Sequence, residues 1–326
     1  VPHRKAHLAL LVLISLLLGG IGGGLITWLS ITHTTATTET RLASNYRFIN
    51  PLIDCNQNAS ESLSIRSLEK KLQNQADVSL AQYQIENLGI YYRDLNNGPW
   101  IGVNETTTFV PASLVKIPLA IYLLKESQSQ PALLDQLITI ADVSEYQYQN
   151  FVPIHTVTAN TQYSVRDLLE RMVIDSDNVA YEYLMQLVDW DKLKTVYAEL
   201  GIDVTDFPES VNEGVSPRDV AKFFRILYNA SYLTRDQSEY LLALLSRTTF
   251  STGLVAGLPP DTTIAHKFAE RKFADTGQRQ LHDCGIVYLP GKPYILCVMT
   301  KGSDSIKLSQ AVAHVSQNVF SWINQQ

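Results

Sequence analysis

Cysteine is scarce in this chain: 326 residues hold three, scattered at Cys55, Cys284 and Cys297. No CxxC spacing links them, and the one HxxxH pair, His3 and His7, is far from all three in sequence, so no metal site is legible, and nothing in the pattern calls for a metal or an organic cofactor. An oxidising compartment would permit one disulfide and leave one thiol over. Cys284 and Cys297 flank a Pro290-Gly291 turn on expected strands and are one candidate pair; Cys55 with either of them is the alternative. Blocks of like charge are also missing, and the formal net charge is -6. A nucleic-acid partner, which needs a basic face, is thereby excluded. Fixed-period repeats and long low-complexity tracts are absent as well, which excludes a solenoid.

What is present begins at the N-terminal side. Leu8 to Ile31 carries no charged residue and follows His3, Arg4, Lys5 and His7. About 20 apolar residues suffice to span a bilayer core, and a basic flank stays on the cytoplasmic side. The segment therefore reads as an uncleaved single-pass anchor that leaves the remainder outside the membrane. A cleaved signal ending near Thr34 to Ala36, giving a secreted form, and a buried core helix are the competing readings.

The organisation expected is a cytoplasmic stub and anchor over 1–32, a Thr/Ser/Ala-rich spacer within 33–60, and a catalytic domain over 61–326. Ser62 to Gln75 has leucines at helical spacing, and Ile85 to Asp94 with Trp100 to Val103 reads as a hairpin. From Ser113 to about Asp261 the pattern is mostly helical, with a lobe over about 126–261. Ser164-x-x-Asp167 and Ser216-Pro217-x-Asp219 mark two helix starts. Strands return at Thr262 to Phe268, Cys284 to Leu289 and Pro293 to Met299. Leu308, Val312, Val315, Val319 and Ile323 form one apolar stripe of a closing helix. The class is α+β: an antiparallel sheet from both chain ends, flanked by helices, with an all-helical lobe inserted and a transmembrane helix in front.

Three short motifs carry chemistry. In Ser113-Leu114-Val115-Lys116, helical spacing puts a hydroxyl and an amine on one face. A lysine of lowered pKa can activate such a hydroxyl. About one Ser-x-x-Lys is expected by chance in a chain this long, and Ser67-Leu68-Glu69-Lys70 is a second copy on a charged helix. Ser176-Asp177-Asn178, taken alone, is a helix cap, and Lys267, taken alone, is a charge that protects a strand edge. Their order and their elements, however, place a nucleophile, a base, a proton shuttle, an amide clamp and an anion partner around one cleft between sheet and lobe.

On these motifs, and on FVPASLVKIPLAIYLLK, YSVRDLLERMVIDSDNVA, SPRDVAKFF and GIVYLPGKPYILCVMTKG, residues 61–326 resemble the serine β-lactamase and penicillin-binding-protein superfamily, nearest to class A. The resemblance implies that Ser113 is acylated, Lys116 is its base and Ser176 relays the proton to the leaving nitrogen. It implies further that Asn178 binds the substrate amide, Asp177 is structural, and Lys267 supplies positive potential for a substrate carboxylate. The N–H groups of Ser113 and Glu270 would form the oxyanion hole.

Two departures matter. The family's strand motif is Lys, a hydroxyl residue, then Gly; here it is Lys267, Phe268 and Ala269. The carboxylate contact made by that hydroxyl is lost or comes from Arg271, and the Ala269 methyl enters space where substrate backbone passes. Glu209 with Asn212 resembles the deacylation motif at a spacing one residue short, and Glu213 is a weaker candidate. The function expected is a membrane-tethered extracytoplasmic serine hydrolase acting on a β-lactam or related amide. A D-Ala-D-Ala carboxypeptidase or transpeptidase acting on peptidoglycan peptides, and a β-lactam-binding module without turnover, are the alternatives.

Overall fold

Strands from both ends of the chain meet in one sheet. In the computed structural model the described residues are 40–41, 45–54, 63–83, 85–96, 98–143, 151, 153–209 and 214–325. The run Leu8 to Ile31, Cys55, Asn212 and Glu213 lie outside them. Among the described residues no helix is long and apolar enough to cross a membrane.

A short antiparallel pair, β1 (Thr40–Arg41) and β2 (Leu52–Asp54), precedes helix α1 (Leu63–Tyr83) and the hairpin β3 (Ile85–Asp94) and β4 (Trp100–Val103). The lobe holds α2 (Lys116–Ser129), β5 (Leu137–Ile140), β6 (Thr161–Ser164), α3 (Val165–Ile174), α4 (Asn178–Met185), α5 (Trp190–Glu199), α6 (Pro217–Tyr228) and α7 (Arg235–Leu245). Then come β7 (Thr263–Lys272), β8 (Arg279–Tyr288), β9 (Tyr294–Gly302) and α8 (Ser305–Asn324). The main sheet runs β4-β3-β9-β8-β7, antiparallel throughout, with β7 at its edge.

Strand side chains alternate between two cores. On β9, Ile295, Cys297 and Met299 face the lobe, whereas Tyr294, Leu296 and Val298 face α1 and α8. Both faces of the sheet are therefore covered, and a fully buried Leu or Val contributes roughly 1.5–3 kcal/mol. The stripe Leu308, Val312, Val315, Val319 and Ile323 of α8 is buried as its spacing predicts. Cys284 and Cys297 pair directly across β8 and β9 and are joined by a disulfide.

Three features differ from the sequence reading. Helix α1 runs to Tyr83, past Gln75, because Leu68 and Leu72 continue as Ala76, Ser79 and Tyr83 on one buried face. Small residues hide that stripe from a hydropathy reading. The lobe is not all helical, since β5 and β6 pair antiparallel within it across a 20-residue connection. Within the stretch read as spacer, Tyr46 to Asn50 is docked on the domain. Glu239 on α7 accepts the backbone N–H groups of Arg47, Phe48 and Ile49 at 2.8, 2.8 and 3.0 Å. The Tyr288 hydroxyl donates to the Phe48 carbonyl at 3.0 Å, and Phe48 and Ile49 are buried.

Candidate active site

The turn that carries Ser113 is built before α2 begins. Ala112–Val115 is a 3-10 turn, on which residues three apart stand one above the other, and Lys116 opens the α-helix behind it. Ala112 adopts φ 46°, a left-handed value that costs an L-residue about 1–3 kcal/mol and persists only where the surroundings fix it. The edge strand β7 packs against this turn. Ser113 itself is half-buried. N–H groups at the start of a helical turn have no carbonyl a turn behind them, so the Ser113 N–H suits an oxyanion.

The second wall is the turn between α3 and α4. Ser176 takes φ 57° and is buried. Asp177 caps α4, accepting from Ala180 N at 2.9 Å, and also accepts from Val157 N at 3.3 Å. The neighbouring loop is tied down at consecutive residues: His155 Nδ1 meets Asp175 Oδ2 at 3.1 Å and Arg171 donates to the Thr156 carbonyl at 3.3 Å. The left-handed Ser176 is thus held on both sides, and Asp177 serves as cap and strut.

Lys116 joins the two turns. Its Nζ donates to the Ser176 carbonyl at 2.5 Å, to Asn178 Oδ1 at 2.7 Å and to Ser176 Oγ at 3.3 Å. The Tyr181 ring centroid lies 5.7 Å away. Burial lowers the amine to about 7, against the opposing pull of Asp177 and Glu182. Such an amine is partly neutral near pH 7 and able to accept a proton, as a general base must.

Strand β7 supplies the third wall. Lys267 is fully buried, and its Nζ donates to the Phe268 carbonyl at 3.3 Å. Burial holds it well below the ordinary lysine value, reinforced by Lys116 and opposed by Asp283 and Asp175. Ala269 is buried with the lobe-facing core, and Glu270 begins the more exposed end of the strand. Phe268 faces the other way, toward the terminal helices. It stacks on Phe250 at 4.2 Å and 11°, with Phe151 edge-on at 4.9 Å. At the position of the family's hydroxyl, the chain has an aromatic stack. Arg271 is exposed, its guanidinium 5.3 Å from the Phe273 ring.

The structure thus gathers Lys116, Ser176 and Asn178 by direct contact, with the Ser113 turn and β7 packed beside them. Glu209 stands apart: it is exposed, and among the described residues no hydrogen bond or ion pair links it to the others. Sequence reasoning missed Glu182. It lies one helical turn beyond Asn178, half-buried, with its charge felt at Lys116. The i,i+4 spacing from Asn178 was the available signal. Among the described residues no group of three or more His, Cys, Asp or Glu could hold a metal ion.

Comparison with known proteins gives the family and the fold. The family model described as the beta-lactamase enzyme family matches residues 67–323. Beta-lactamase AST-1 of Nocardia asteroides is 24% identical over 233 residues, covering 67% of this chain and 72% of its own length. A beta-lactamase of Proteus vulgaris is 27% identical over 255 residues, covering 74% and 79%. Among solved structures, a variant of PBP-A in acyl-enzyme complex with penicillin-G superposes with TM-score 0.67 at 23% identity, over 80% of this chain and 98% of that one. TLA-3 extended-spectrum beta-lactamase superposes with TM-score 0.68 at 19% identity, over 78% and 99%. At such identities the structures speak for the fold.

Proposed function

Because the chain belongs to the β-lactamase enzyme family, within the serine β-lactamase and penicillin-binding-protein superfamily, we propose that it is a serine hydrolase acylated on Ser113. The observation that carries this reading is the buried Lys116 amine, held by Ser176 and Asn178 and brought near neutrality. The substrate proposed is a β-lactam or a related amide.

In the proposed reaction the neutral Lys116 amine takes the proton of Ser113 Oγ as that oxygen attacks the substrate carbonyl. The N–H groups of Ser113 and Glu270 receive the oxyanion, an arrangement in which each donor contributes about 2.7–4 kcal/mol to catalysis. The C–N bond then breaks, and Ser176 passes a proton to the departing nitrogen while the acyl group stays on Ser113. Asn178 holds the substrate amide beside Ala269. Burial disfavours the charge on Lys267, and an entering carboxylate would favour its protonated form and pair with it. Water finally displaces the acyl group.

A second reading is a D-Ala-D-Ala carboxypeptidase or transpeptidase with a lasting acyl-enzyme. It is favoured by one observation, the exposure of Glu209 away from the other candidate groups. We also propose that the apolar run Leu8 to Ile31 tethers the domain outside the membrane, a reading supported by its length and basic flank. Intact-protein mass spectrometry after exposure to penicillin-G tests the main proposal. One acyl adduct on the unaltered chain and none on Ser113→Ala is expected; equal labelling of the Ala variant overturns it.

A further inference from the structure

Glu182 is the acid that the acyl-enzyme reading leaves without a task. It shares a face of α4 with Asn178 and Tyr181, and both of those lie against the Lys116 amine, at 2.7 Å and 5.7 Å. The amine has three hydrogens at most, and all three are directed at the Ser176 carbonyl, Ser176 Oγ and Asn178 Oδ1. Nothing is left to bind Glu182. Among the described residues its carboxylate has no hydrogen bond or ion pair, yet it is half-buried and its charge is felt at the amine. A carboxylate so placed keeps its lone pairs for water. Glu209, in contrast, is exposed on its loop, where Phe207 packs on Trp190 and Tyr197.

Resting on the acyl-enzyme reading above, we propose that Glu182 is the base that frees the acyl group from Ser113. In this step Glu182 takes one proton from a water molecule while the water oxygen bonds to the acyl carbonyl carbon. The tetrahedral adduct collapses, the bond from that carbon to Ser113 Oγ breaks, and the proton returns to Oγ. The products are a carboxylic acid and free Ser113, so one water is consumed and the enzyme is restored. Burial raises the Glu182 carboxyl above its ordinary value, while Lys116 pulls it down. A base poised nearer the working pH is the consequence.

Time-resolved intact mass after a pulse of penicillin-G tests the assignment. The unaltered protein should gain one adduct and lose it. Glu182→Gln should be acylated at a rate within about threefold and lose the adduct about 100-fold more slowly, the usual scale of a lost general base. Full one-for-one labelling of the Gln variant also shows that its site is folded. Glu182→Asp, which keeps the charge, should clear faster than Glu182→Gln, and Glu209→Gln should clear like the unaltered protein. Clearance by the unaltered protein should fall on the acid side, a limb missing from Glu182→Gln. Clearance of Glu182→Gln within about twofold of the unaltered rate overturns the assignment. So does an acylation defect as large as the clearance defect, which would put Glu182 to work on Lys116 instead, or an unaltered protein that never clears. A chain that gains no adduct at all sinks the acyl-enzyme reading along with it, a failure visible before any variant is made.

Discussion

His282 on β8 binds the carbonyl of Val110, three residues before Ser113, at 3.1 Å through Nε2. Its other nitrogen, Nδ1, accepts the Thr300 N–H at 3.2 Å. A carbonyl can only accept and an amide N–H can only donate, so the two partners fix one neutral tautomer. Burial lowers the ring to about 4, against the backbone of Val110 and Leu281, which favours the charged form. The loop that presents the candidate nucleophile is thus moored to the sheet by an uncharged imidazole.

This mooring has a pH signature. A His whose value falls from about 6.5 unfolded to about 4 folded binds fewer protons when folded. Its contribution is complete above pH 6.5 and is lost as pH drops toward 4, an effect of about 3 kcal/mol at full extent. Urea unfolding at pH 7 and pH 5 should show this slope, and His282→Gln should flatten it. An unchanged slope in the variant would refute the account.

Lys116 should set the rising limb of acylation. Its neutral form is the base, so the adduct on Ser113 should form faster as pH climbs through about 7. Lys116→Met should remove the limb and slow acylation by about 100-fold or more, the lower bound for a lost base. Stopped-flow acylation between pH 5 and 9 is the measurement.

Phe268 should be a packing residue. Removing it leaves Phe250 and Phe151 facing a void, so Phe268→Ala should cost about 3–5 kcal/mol. Phe268→Thr restores the family's hydroxyl in name only. The side chain points into the aromatic stack, so the variant should lose stability without gaining penicillin-G labelling. A labelling gain would show that the strand can turn that residue toward the cleft.

Glu239 should hold the segment before Asn50. Three N–H groups converge on its carboxylate, and hydrogen bonds to a charged group contribute about 1.5–3 kcal/mol. Glu239→Ala should therefore speed tryptic cleavage after Arg47 while leaving cleavage elsewhere unchanged. Equal cleavage rates would show that the Phe48 and Ile49 side chains alone secure the segment.

Much of the architecture was written in local patterns. Both expected helix starts form, with Ser164 and Ser216 each accepting from the N–H three residues on. Asp177 caps its helix, and the two-ended sheet follows from hairpins with period-two alternation. A third such start, Thr234 with Gln237, went unread because charged residues surround it. The pairing of β5 with β6 was hidden because its partners are far apart in sequence and only four residues long. For the candidate site, motif order singled out Ser113, Lys116, Ser176 and Lys267. It could not show that burial would hold the Lys267 amine below the ordinary lysine value, since desolvation depends on what folds over a side chain. Glu209 attracted notice through a local likeness, whereas Glu182 belonged to no motif and had only an i,i+4 spacing from Asn178, whose meaning depends on the folded helix face.

The Cys284–Cys297 link lies in the same cross-strand row as Lys267. Shifting a strand by one residue would send every side chain to the opposite face, and Lys267 would then point at the terminal helices while Phe268 blocked the cleft. A covalent rivet one strand inward stops β8 and β9 from sliding past each other. Oxidation thereby fixes the register of the strand against which β7, and with it Lys267, is paired.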